Sequence, residues 1–226
     1  KTGLVCLVGH SGCGKTTLLN MIAGIDQDYD GSIAIDEFDF KLNSKNAGLD
    51  FRIRNIGYVF QNFNLFNLLT AGQNIMMTLD SATNASNRVK RNRTRDALRL
   101  MGIENYFKKP INKLSGGEKQ RIAIARAIIN DPKVVLCDEP TGALDEANSE
   151  LIFKILSTIS KKVLVIVATH DLESANKYAN EIFEIENGEI KEISEEKKIK
   201  VYEDYLAKYD LADDEVIYVG DDIPDY

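Results

Sequence analysis

The stretch "GHSGCGKTT" occupies residues 9–17 and follows directly on the apolar run Leu4–Val8. A run with helix-like periodicity, Gly14–Ala23, comes after it. The spacing Gly-x-x-x-x-Gly-Lys-Thr between a strand and a helix is the phosphate-loop pattern in the structural context that this pattern requires. A glycine-rich turn with an exposed lysine is the alternative, and the strand–helix context makes it the less favoured one. The sequence therefore predicts a phosphate-binding loop.

Each part of this loop has a chemical reason. Glycines let backbone N–H groups turn towards one point, and the following helix adds the positive end of its dipole. Lys15 is expected to reach β- and γ-phosphates, Thr16 to offer its hydroxyl to Mg²⁺, and Thr17 to add a phosphate contact. We also hypothesise that modification of the Cys13 thiol blocks nucleotide binding, with an inert thiol as the alternative. The residues predicted to bind a nucleotide here are Gly9, His10, Ser11, Gly12, Cys13, Gly14, Lys15, Thr16 and Thr17.

Two adjacent carboxylates end a second apolar run, in "VVLCDEP" at residues 134–140. An Asp at the carboxyl end of a strand beside a phosphate loop is placed to hold Mg²⁺, which is the role predicted for Asp138. Glu139 follows it into the same crevice and is predicted to polarise an attacking water as a general base. A plain strand-end turn is the alternative, and it is favoured only where no phosphate loop is present.

Short apolar runs alternate with longer helix-like runs, which is typical of parallel strands joined by crossover helices. Between Gly72 and Tyr106 the sequence predicts helices only, and "EIFEIENGEIKEI" at residues 181–193 predicts a hairpin about Asn187-Gly188. The predicted strands are Leu4–Val8, Ile56–Phe60, Lys133–Cys137 and Val163–Ala168. The predicted helices are Gly14–Ala23, Gly116–Asn130, Glu146–Ser160 and Leu172–Tyr178.

Composition narrows the function classes. The chain has 226 residues, and no apolar run approaches the roughly 18–20 residues of a membrane-spanning helix. Its net charge of −7 comes entirely from residues 195–226, which hold eleven acidic and four basic side chains. Acidic and basic side chains are equal in number in the rest of the chain, so no nucleic-acid partner is expected. The basic run Arg88–Arg99 is interpreted as a solvated helix face rather than a nucleic-acid or lipid patch. Three cysteines without metal spacing favour a reducing compartment.

The chain resembles the nucleotide-binding domain of ATP-binding cassette (ABC) proteins. The decisive stretch is "LSGGEKQRIAIARAI", Leu114–Ile128, which is similar to the signature sequence of that family and precedes the Asp138 strand as in the family. Gln61 in "YVFQN" resembles the Q-loop, "ALD" at Ala143–Asp145 the D-loop, and His170 in "ATHD" the switch histidine. "DEPTGALD" and "RNIGYVFQNFNLFNLLTAGQNI" look most like the class that drives export of lipoproteins, macrolides or antimicrobial peptides.

The resemblance implies an α/β fold of the P-loop NTPase type, with a mostly parallel sheet flanked by helices, a helical subdomain and a reduced antiparallel subdomain to which "GSIAIDEFDF" belongs. It implies ATP and Mg²⁺ as ligands, with Thr16, Gln61 and Asp138 at the metal and Glu139, His170 and Gln61 in catalysis. In the family two such domains pair head to tail around two ATP molecules. Ser115, Gly116, Gly117 and Glu118 would then cover the ATP of the partner, with Asp145 at the same interface.

The domain organisation expected from the resemblance is an ABC ATPase domain at residues 1–193, with its helical subdomain at about 72–130, and an acidic extension or linker at 194–226. The expected function is the ATPase motor of a transporter on the cytoplasmic side of the cell membrane, with a permease that is separate or fused C-terminally. A non-transport ABC ATPase of cell division, DNA maintenance or translation is the alternative. Because the chain starts at Lys1, we expect the family's adenine-stacking aromatic residue to lie upstream, with ATP held mainly by its phosphates and hydrolysis impaired.

Overall fold

The computed structural model describes residues 1–186 and 188–193 of the chain. The predicted acidic extension at 194–226 and Asn187 of the predicted turn lie outside these described residues. The strands are β1 (Gly3–Val8), β2 (Ala34–Ile35), β3 (Phe38–Asp39), β4 (Ile56–Val59), β5 (Val134–Asp138), β6 (Leu164–Thr169), β7 (Glu181–Glu186) and β8 (Glu189–Glu192). The helices are α1 (Lys15–Ile22), α2 (Lys45–Asn55), α3 (Ala71–Ala82), α4 (Asn87–Leu100), α5 (Gly116–Ile128), α6 (Glu146–Ser160) and α7 (Leu172–Tyr178).

Six of the strands form one sheet, in the order β4-β5-β6-β1-β7-β8. All neighbours in it are parallel except β7 and β8, which are antiparallel and form the predicted hairpin. Each of the four predicted strands is present, and no strand end differs from its predicted position by more than one residue. The prediction of a mostly parallel α/β sheet is confirmed.

The register of the three central strands aligns their carboxyl ends. Val8 of β1 pairs with Thr169 of β6, and Asp138 of β5 pairs with Ala168 of β6. The residue that follows each strand, Gly9, Glu139 or His170, therefore emerges at the same edge of the sheet. In open α/β sheets this carboxyl edge is where ligands bind.

Both faces of the sheet are covered, which explains why its central strands are continuously apolar. Leu4, Cys6 and Val8 of β1 pack towards the main core, which also holds apolar residues of α3, α5 and α6. Leu7 points to the opposite face and packs in a smaller cluster with Leu19 of α1. The helix that follows the phosphate loop is thus anchored under the sheet by its own apolar side.

The region 71–106 is helical, as predicted. Helix α3 begins with a capping box in which Thr70 Oγ1 accepts from the Gln73 N–H and Gln73 Oε1 accepts from the Thr70 N–H. Helices α3 and α4 pack against each other and against α5. No helix within residues 1–186 and 188–193 has the length and apolar character needed to cross a membrane.

Two features between α1 and β4 complete the fold. Strands β2 and β3 of "GSIAIDEFDF" pair antiparallel over two residues each, in keeping with a reduced antiparallel part. Helix α2 was not predicted from the sequence. It begins at the cap residue Ser44, whose side chain accepts from the Ala47 N–H, and only Gly48 of its residues is buried. A helix with so little apolar surface to bury leaves no amphipathic pattern to recognise.

The close approach of β4 and α5 generates a first prediction. A Cβ on Gly57 would lie 2.4 Å from the carbonyl oxygen of Ala127 on α5, so Gly57→Ala has to push the helix off the sheet. We expect Gly57→Ala to lower the free energy of unfolding by about 1–3 kcal/mol in denaturant titrations. Gly48→Ala is the matched control, because its Cβ meets only Phe40 at an ordinary 3.4 Å. That control gains helix propensity and should raise stability by up to about 1 kcal/mol. Equal stabilities for the two variants would contradict this packing.

Candidate functional site

The phosphate loop joins β1 to α1 at the carboxyl edge of the sheet. Gly12 and Gly14 adopt φ of +81° and +107°, in the left-handed region that favours glycine, and a Cβ on either would meet no atom within 4 Å. The turn therefore requires these glycines for backbone conformation rather than for space. The loop is tightened by the Cys13 N–H, which donates to the His10 carbonyl at 3.3 Å.

Lys15 begins helix α1, and its side chain is only 7% exposed. Its ammonium group donates to the carbonyl oxygens of Gly9 at 2.6 Å and His10 at 3.2 Å. It also lies 3.6 Å from Glu139 Oε1. The buried positive charge is thus held inside the curve of the loop and faces the end of β5.

Thr16 and Asp138 form the second contact between the loop and β5. Thr16 Oγ1 donates to the Asp138 carboxylate and lies 2.9 Å from each of its oxygens. Burial raises the pKa of Asp138, and the neighbouring Glu139 adds to this, while Thr16 and Lys15 oppose it. A carboxylate whose charge is disfavoured by burial gains stability from a nearby cation. Together with a hydroxyl, it is an oxygen donor set of the kind that Mg²⁺ prefers.

Glu139 is the centre of the site. Its backbone has φ of +45°, which is uncommon for a residue other than glycine and costs of order 1 kcal/mol or more. Its N–H still continues the sheet by donating to the Ala168 carbonyl at 2.9 Å. Its carboxylate is 14% exposed and spans two basic groups, with Oε1 near Lys15 and Oε2 at 2.9 Å from His170 Nδ1. The strained turn therefore aims the carboxylate between the loop and the end of β6.

Gln61 lies in the loop after β4 and approaches the same turn. A Cβ on Gly142 would lie 3.6 Å from Glu139 Cβ and 4.0 Å from Gln61 Nε2. The exposed amide of Gln61 thus borders the segment that carries Glu139. Residues from four segments of the chain, after β1, β4, β5 and β6, meet at one edge of the sheet.

The predicted signature residues lie at the start of α5 and form a capping box of their own. Ser115 Oγ accepts from the Glu118 N–H at 3.3 Å, and Glu118 Oε2 accepts from the Ser115 N–H at 2.8 Å. Burial would raise the pKa of Glu118, but the Tyr106 hydroxyl, the Ser115 N–H and the Lys109 ammonium outweigh it and lower the pKa to about 2. The negative charge of Glu118 is therefore retained and balanced within its own subunit.

The signature turn packs against the segment that carries Asp145. Asp145 caps helix α6 by accepting from the Asn148 N–H at 2.9 Å, and its carboxylate also accepts from Asn148 Nδ2. A Cβ on Gly117 would lie 2.3 Å from Asn148 Oδ1. Within residues 1–186 and 188–193, no hydrogen bond joins Ser115–Glu118 or Asp145 to the phosphate loop. The structure thus places the predicted site residues in two groups.

Sequence reasoning missed two residues at the edges of these groups. Asn148 gives no signal beyond its position three residues after the helix cap Asp145. Arg126 lies on α5 inside the signature stretch, and its guanidinium donates to the carbonyls of Phe63 and Asn64 just after Gln61. Both contacts join segments distant in sequence, and a pattern of residue types does not show such contacts.

Three features together define a P-loop ATPase domain. They are the phosphate loop, the Asp138 carboxylate that accepts a hydrogen bond from Thr16 of the loop, and the Glu139 carboxylate beside Lys15 of the loop. The ABC transporter family matches residues 1–142. The chain belongs to that family and is one of its ATP-binding cassettes, which confirms the expected family and fold. This chain is similar to a solved structure, the dimeric structure of a post-hydrolysis state of the ATP-binding cassette MJ0796 bound to ADP and Pi. The two sequences are 33% identical and the structures match with a TM-score of 0.76, over 85% of this chain and 86% of the MJ0796 chain.

Two curated relatives show the range of transporters that carry such a cassette. The macrolide export ATP-binding/permease protein MacB of Campylobacter fetus is 35% identical over 206 residues, which are 90% of this chain and 31% of MacB. The methionine import ATP-binding protein MetN of Clostridioides difficile is 36% identical over 196 residues, which are 85% of this chain and 60% of MetN. This chain spans less than two thirds of the length of either relative.

The position of Cys13 gives the second prediction. The Cys13 Sγ lies beside Gly9, where an added Cβ would be 2.7 Å from it, so a bulky group on this sulfur has to displace the loop. We expect alkylation of Cys13 by N-ethylmaleimide to weaken ATP binding by tenfold or more, measured by calorimetry. Cys13→Ala treated in the same way is the control and should bind ATP as before, because the other two cysteines, Cys6 and Cys137, are buried. Unchanged affinity after complete modification of Cys13 would refute the hypothesis.

The contact between Gly117 and Asn148 gives the third prediction. Gly117→Ala places a methyl group on the Asn148 amide, and we expect it to lower stability by about 1–3 kcal/mol. Asn148→Ala removes that obstacle while keeping the Asp145 cap on the backbone N–H. The double variant should therefore recover stability relative to Gly117→Ala alone, with a coupling of about 1 kcal/mol or more in a double-mutant cycle. Strict additivity would show that the two residues do not touch.

Proposed function

We propose that the chain binds and hydrolyses ATP at composite sites in a head-to-tail dimer and so drives a membrane permease. The observation that carries this proposal is the Glu139 carboxylate, which spans Lys15 and His170 at the carboxyl edge of the sheet. In this proposal the carboxylate is the general base, the Lys15 ammonium binds phosphate, and the His170 imidazole donates or accepts a hydrogen bond, all within one small volume.

The residues of the loop fit the triphosphate of ATP. The backbone N–H groups of residues 9–17 and the start of α1 provide donors and positive potential, and Lys15 adds a full charge. Thr16, Asp138 and the amide oxygen of Gln61 are the groups that would hold Mg²⁺. When bound, this ion neutralises negative charge on the phosphates as it accumulates in the transition state.

The proposed chemistry uses the chain's own residues as follows. Glu139 accepts a proton from water as the water oxygen attacks the γ-phosphorus, the bond from that phosphorus to the β–γ bridging oxygen breaks, and the products are ADP and phosphate. His170 and Gln61 orient the water and the γ-phosphate by hydrogen bonds. The hydrogen bond between His170 and Glu139 holds the carboxylate in place until the water replaces it.

The second group of site residues is proposed to act on a partner subunit. Ser115, Gly116, Gly117 and Glu118 begin a 13-residue helix, and the N-terminal end of a helix attracts anions. Their own subunit offers them no hydrogen bond to the phosphate loop within the described residues. The MJ0796 cassette with ADP and Pi is dimeric, which supports a site completed by a second copy. Asp145 would lie at the same interface, because its helix cap packs on the signature turn.

We propose that the permease docks near the Gln61 loop and that the cassette lies on the cytoplasmic side of the membrane. Phe66 and Leu68 follow that loop and are 57% and 100% exposed, an unusual position for large apolar side chains. We propose a cytoplasmic segment of the permease as their partner. MacB joins a cassette and a permease in one protein, and MetN is an ATP-binding protein of an import system, so both relatives support a membrane partner.

Glu139→Gln is the decisive variant. It keeps the shape of the side chain but removes the base, so we expect ATP hydrolysis to fall by about 10²-fold or more, measured as phosphate release. ATP binding should persist, and the variant should accumulate as an ATP-dependent dimer detected by size-exclusion chromatography with light scattering. Glu139→Gln combined with Lys15→Ala is the control and should remain monomeric, because the phosphate-binding ammonium is lost. The proposal is wrong if the wild-type chain releases no phosphate and Glu139→Gln stays monomeric with saturating ATP and Mg²⁺.

A further inference from the structure

Arg126 connects the helix that begins with the signature turn to the loop that carries Gln61. It lies on α5, about three helical turns after Gly116. One nitrogen of its guanidinium donates to the Phe63 carbonyl at 2.8 Å, and another donates to the Asn64 carbonyl. These two carbonyls belong to the second and third residues after Gln61. A single side chain therefore joins two segments that the proposed mechanism uses separately.

The segment that Arg126 holds is strained. Phe63 and Asn64 have φ of +59° and +47°, so two consecutive residues other than glycine occupy the left-handed region. Asparagine tolerates this conformation, but phenylalanine does not favour it. Two backbone hydrogen bonds also lie within the turn, since the Phe63 N–H donates to the Phe60 carbonyl at 3.0 Å and the Asn64 N–H donates to the Asn62 carbonyl at 2.6 Å. A conformation that its own residues disfavour depends on contacts from outside, and the two-pronged bond from Arg126 is such a contact.

The chemistry of this contact favours arginine over lysine. Arg126 forms no ion pair within residues 1–186 and 188–193, and burial lowers the pKa of its guanidinium. Its charge is therefore stabilised by carbonyl dipoles. A planar guanidinium can donate to two adjacent carbonyls at fixed positions, whereas a lysine ammonium is a flexible point charge.

Arg126 and Asn64 also line a surface cavity of about 180 Å³ between α2, β4, α3 and α5. Tyr58 is part of the same lining, and its hydroxyl donates to Asn20 Oδ1 on α1, the helix that follows the phosphate loop. The walls of this cavity thus contact the phosphate-loop helix through Tyr58. They contact the Gln61 loop and the signature helix through Arg126.

We propose that Arg126 is a positioning residue that fixes the turn after Gln61 to the signature helix, so that the two segments move together when ATP binds. The proposal rests on the function proposed above. Arg126 touches neither ATP nor water in this role. It sets where the Gln61 amide lies relative to Glu139, and it couples that position to the signature turn offered to a partner subunit.

The test compares Arg126→Lys and Arg126→Ala with the wild type. We expect kcat for ATP hydrolysis to fall by about tenfold or more, because Gln61 is displaced. The dissociation constant for a fluorescent ATP analogue should change by less than about twofold, because the phosphate loop is untouched. Arg93→Lys is the matched control. Arg93 on α4 also donates to a backbone carbonyl, that of Ile129 at 2.6 Å, and to the Asp131 carboxylate at 2.7 Å, but within the described residues no hydrogen bond joins it to the Gln61 loop. It should retain kcat within about twofold.

Asn64→Gly provides the rescue. Glycine adopts a positive φ without cost, so this substitution removes the strain at one of the two left-handed residues. Phe63 is left unchanged because its side chain packs against the main core. The double variant Arg126→Lys with Asn64→Gly should recover at least half of the lost kcat, which a general loss of stability would not explain. A wild-type kcat in Arg126→Lys would overturn the inference. Equal losses of kcat in Arg126→Lys and Arg93→Lys without rescue by Asn64→Gly would also overturn it. Absence of ATP hydrolysis in the wild type is a different result, because it overturns the proposed function itself.

Discussion

The parallel register of β1, β5 and β6 is the constraint on which the site depends. Because Val8 pairs with Thr169 and Asp138 with Ala168, the three strands end within one residue of the same height. The loop that begins at Gly9, the carboxylate of Glu139 and the ring of His170 therefore become neighbours although they are more than a hundred residues apart at the extremes. A shift of one residue in any strand would turn its side chains to the opposite face and separate these groups. The apolar cores on both faces fix the register, so the packing of the sheet and the geometry of the site have one cause.

Charge balance is the second constraint, because one buried cation lies beside two largely buried carboxylates. Lys15 and Asp138 are both buried more deeply than most charged side chains. Lys15 lies near Glu139, and the Thr16 hydroxyl faces Asp138, yet the pKa of Asp138 remains raised. The site is thus short of positive charge beside a loop that presents donors to anions. This combination suits a ligand that brings phosphate groups together with a divalent cation.

Local sequence was sufficient to predict the strands, the phosphate loop and the strand-end carboxylates, because each is defined by residues that lie close together in the chain. The central strands are apolar since both of their faces are buried, and their ends differ from the predicted ones by at most one residue. Helix α2 was missed because it buries almost nothing and carries mainly polar side chains. The contacts of Arg126 and Asn148 were missed for another reason. They join segments that are distant in the sequence. Arg126 contacts backbone carbonyls and Asn148 contacts a glycine, and neither kind of partner is recognisable from the types of residue in the sequence.

The strained residues show how the two groups of site residues are connected. Three residues other than glycine with positive φ, Phe63, Asn64 and Glu139, lie in the segments that carry the proposed catalytic side chains. Each strained turn is hydrogen-bonded to a neighbouring element of the fold. The Glu139 N–H donates to the Ala168 carbonyl of β6, and the carbonyls of Phe63 and Asn64 accept from Arg126 of α5. Because the turn at Phe63 and Asn64 is held by α5, a movement of α5 changes the backbone strain in that turn. A displacement of α5 would therefore alter the Gln61 loop directly, whereas Glu139 would stay fixed to the sheet. The sheet thus holds Glu139, the proposed base, in place, and the helical layer holds the loop of Gln61, the residue proposed to orient the water.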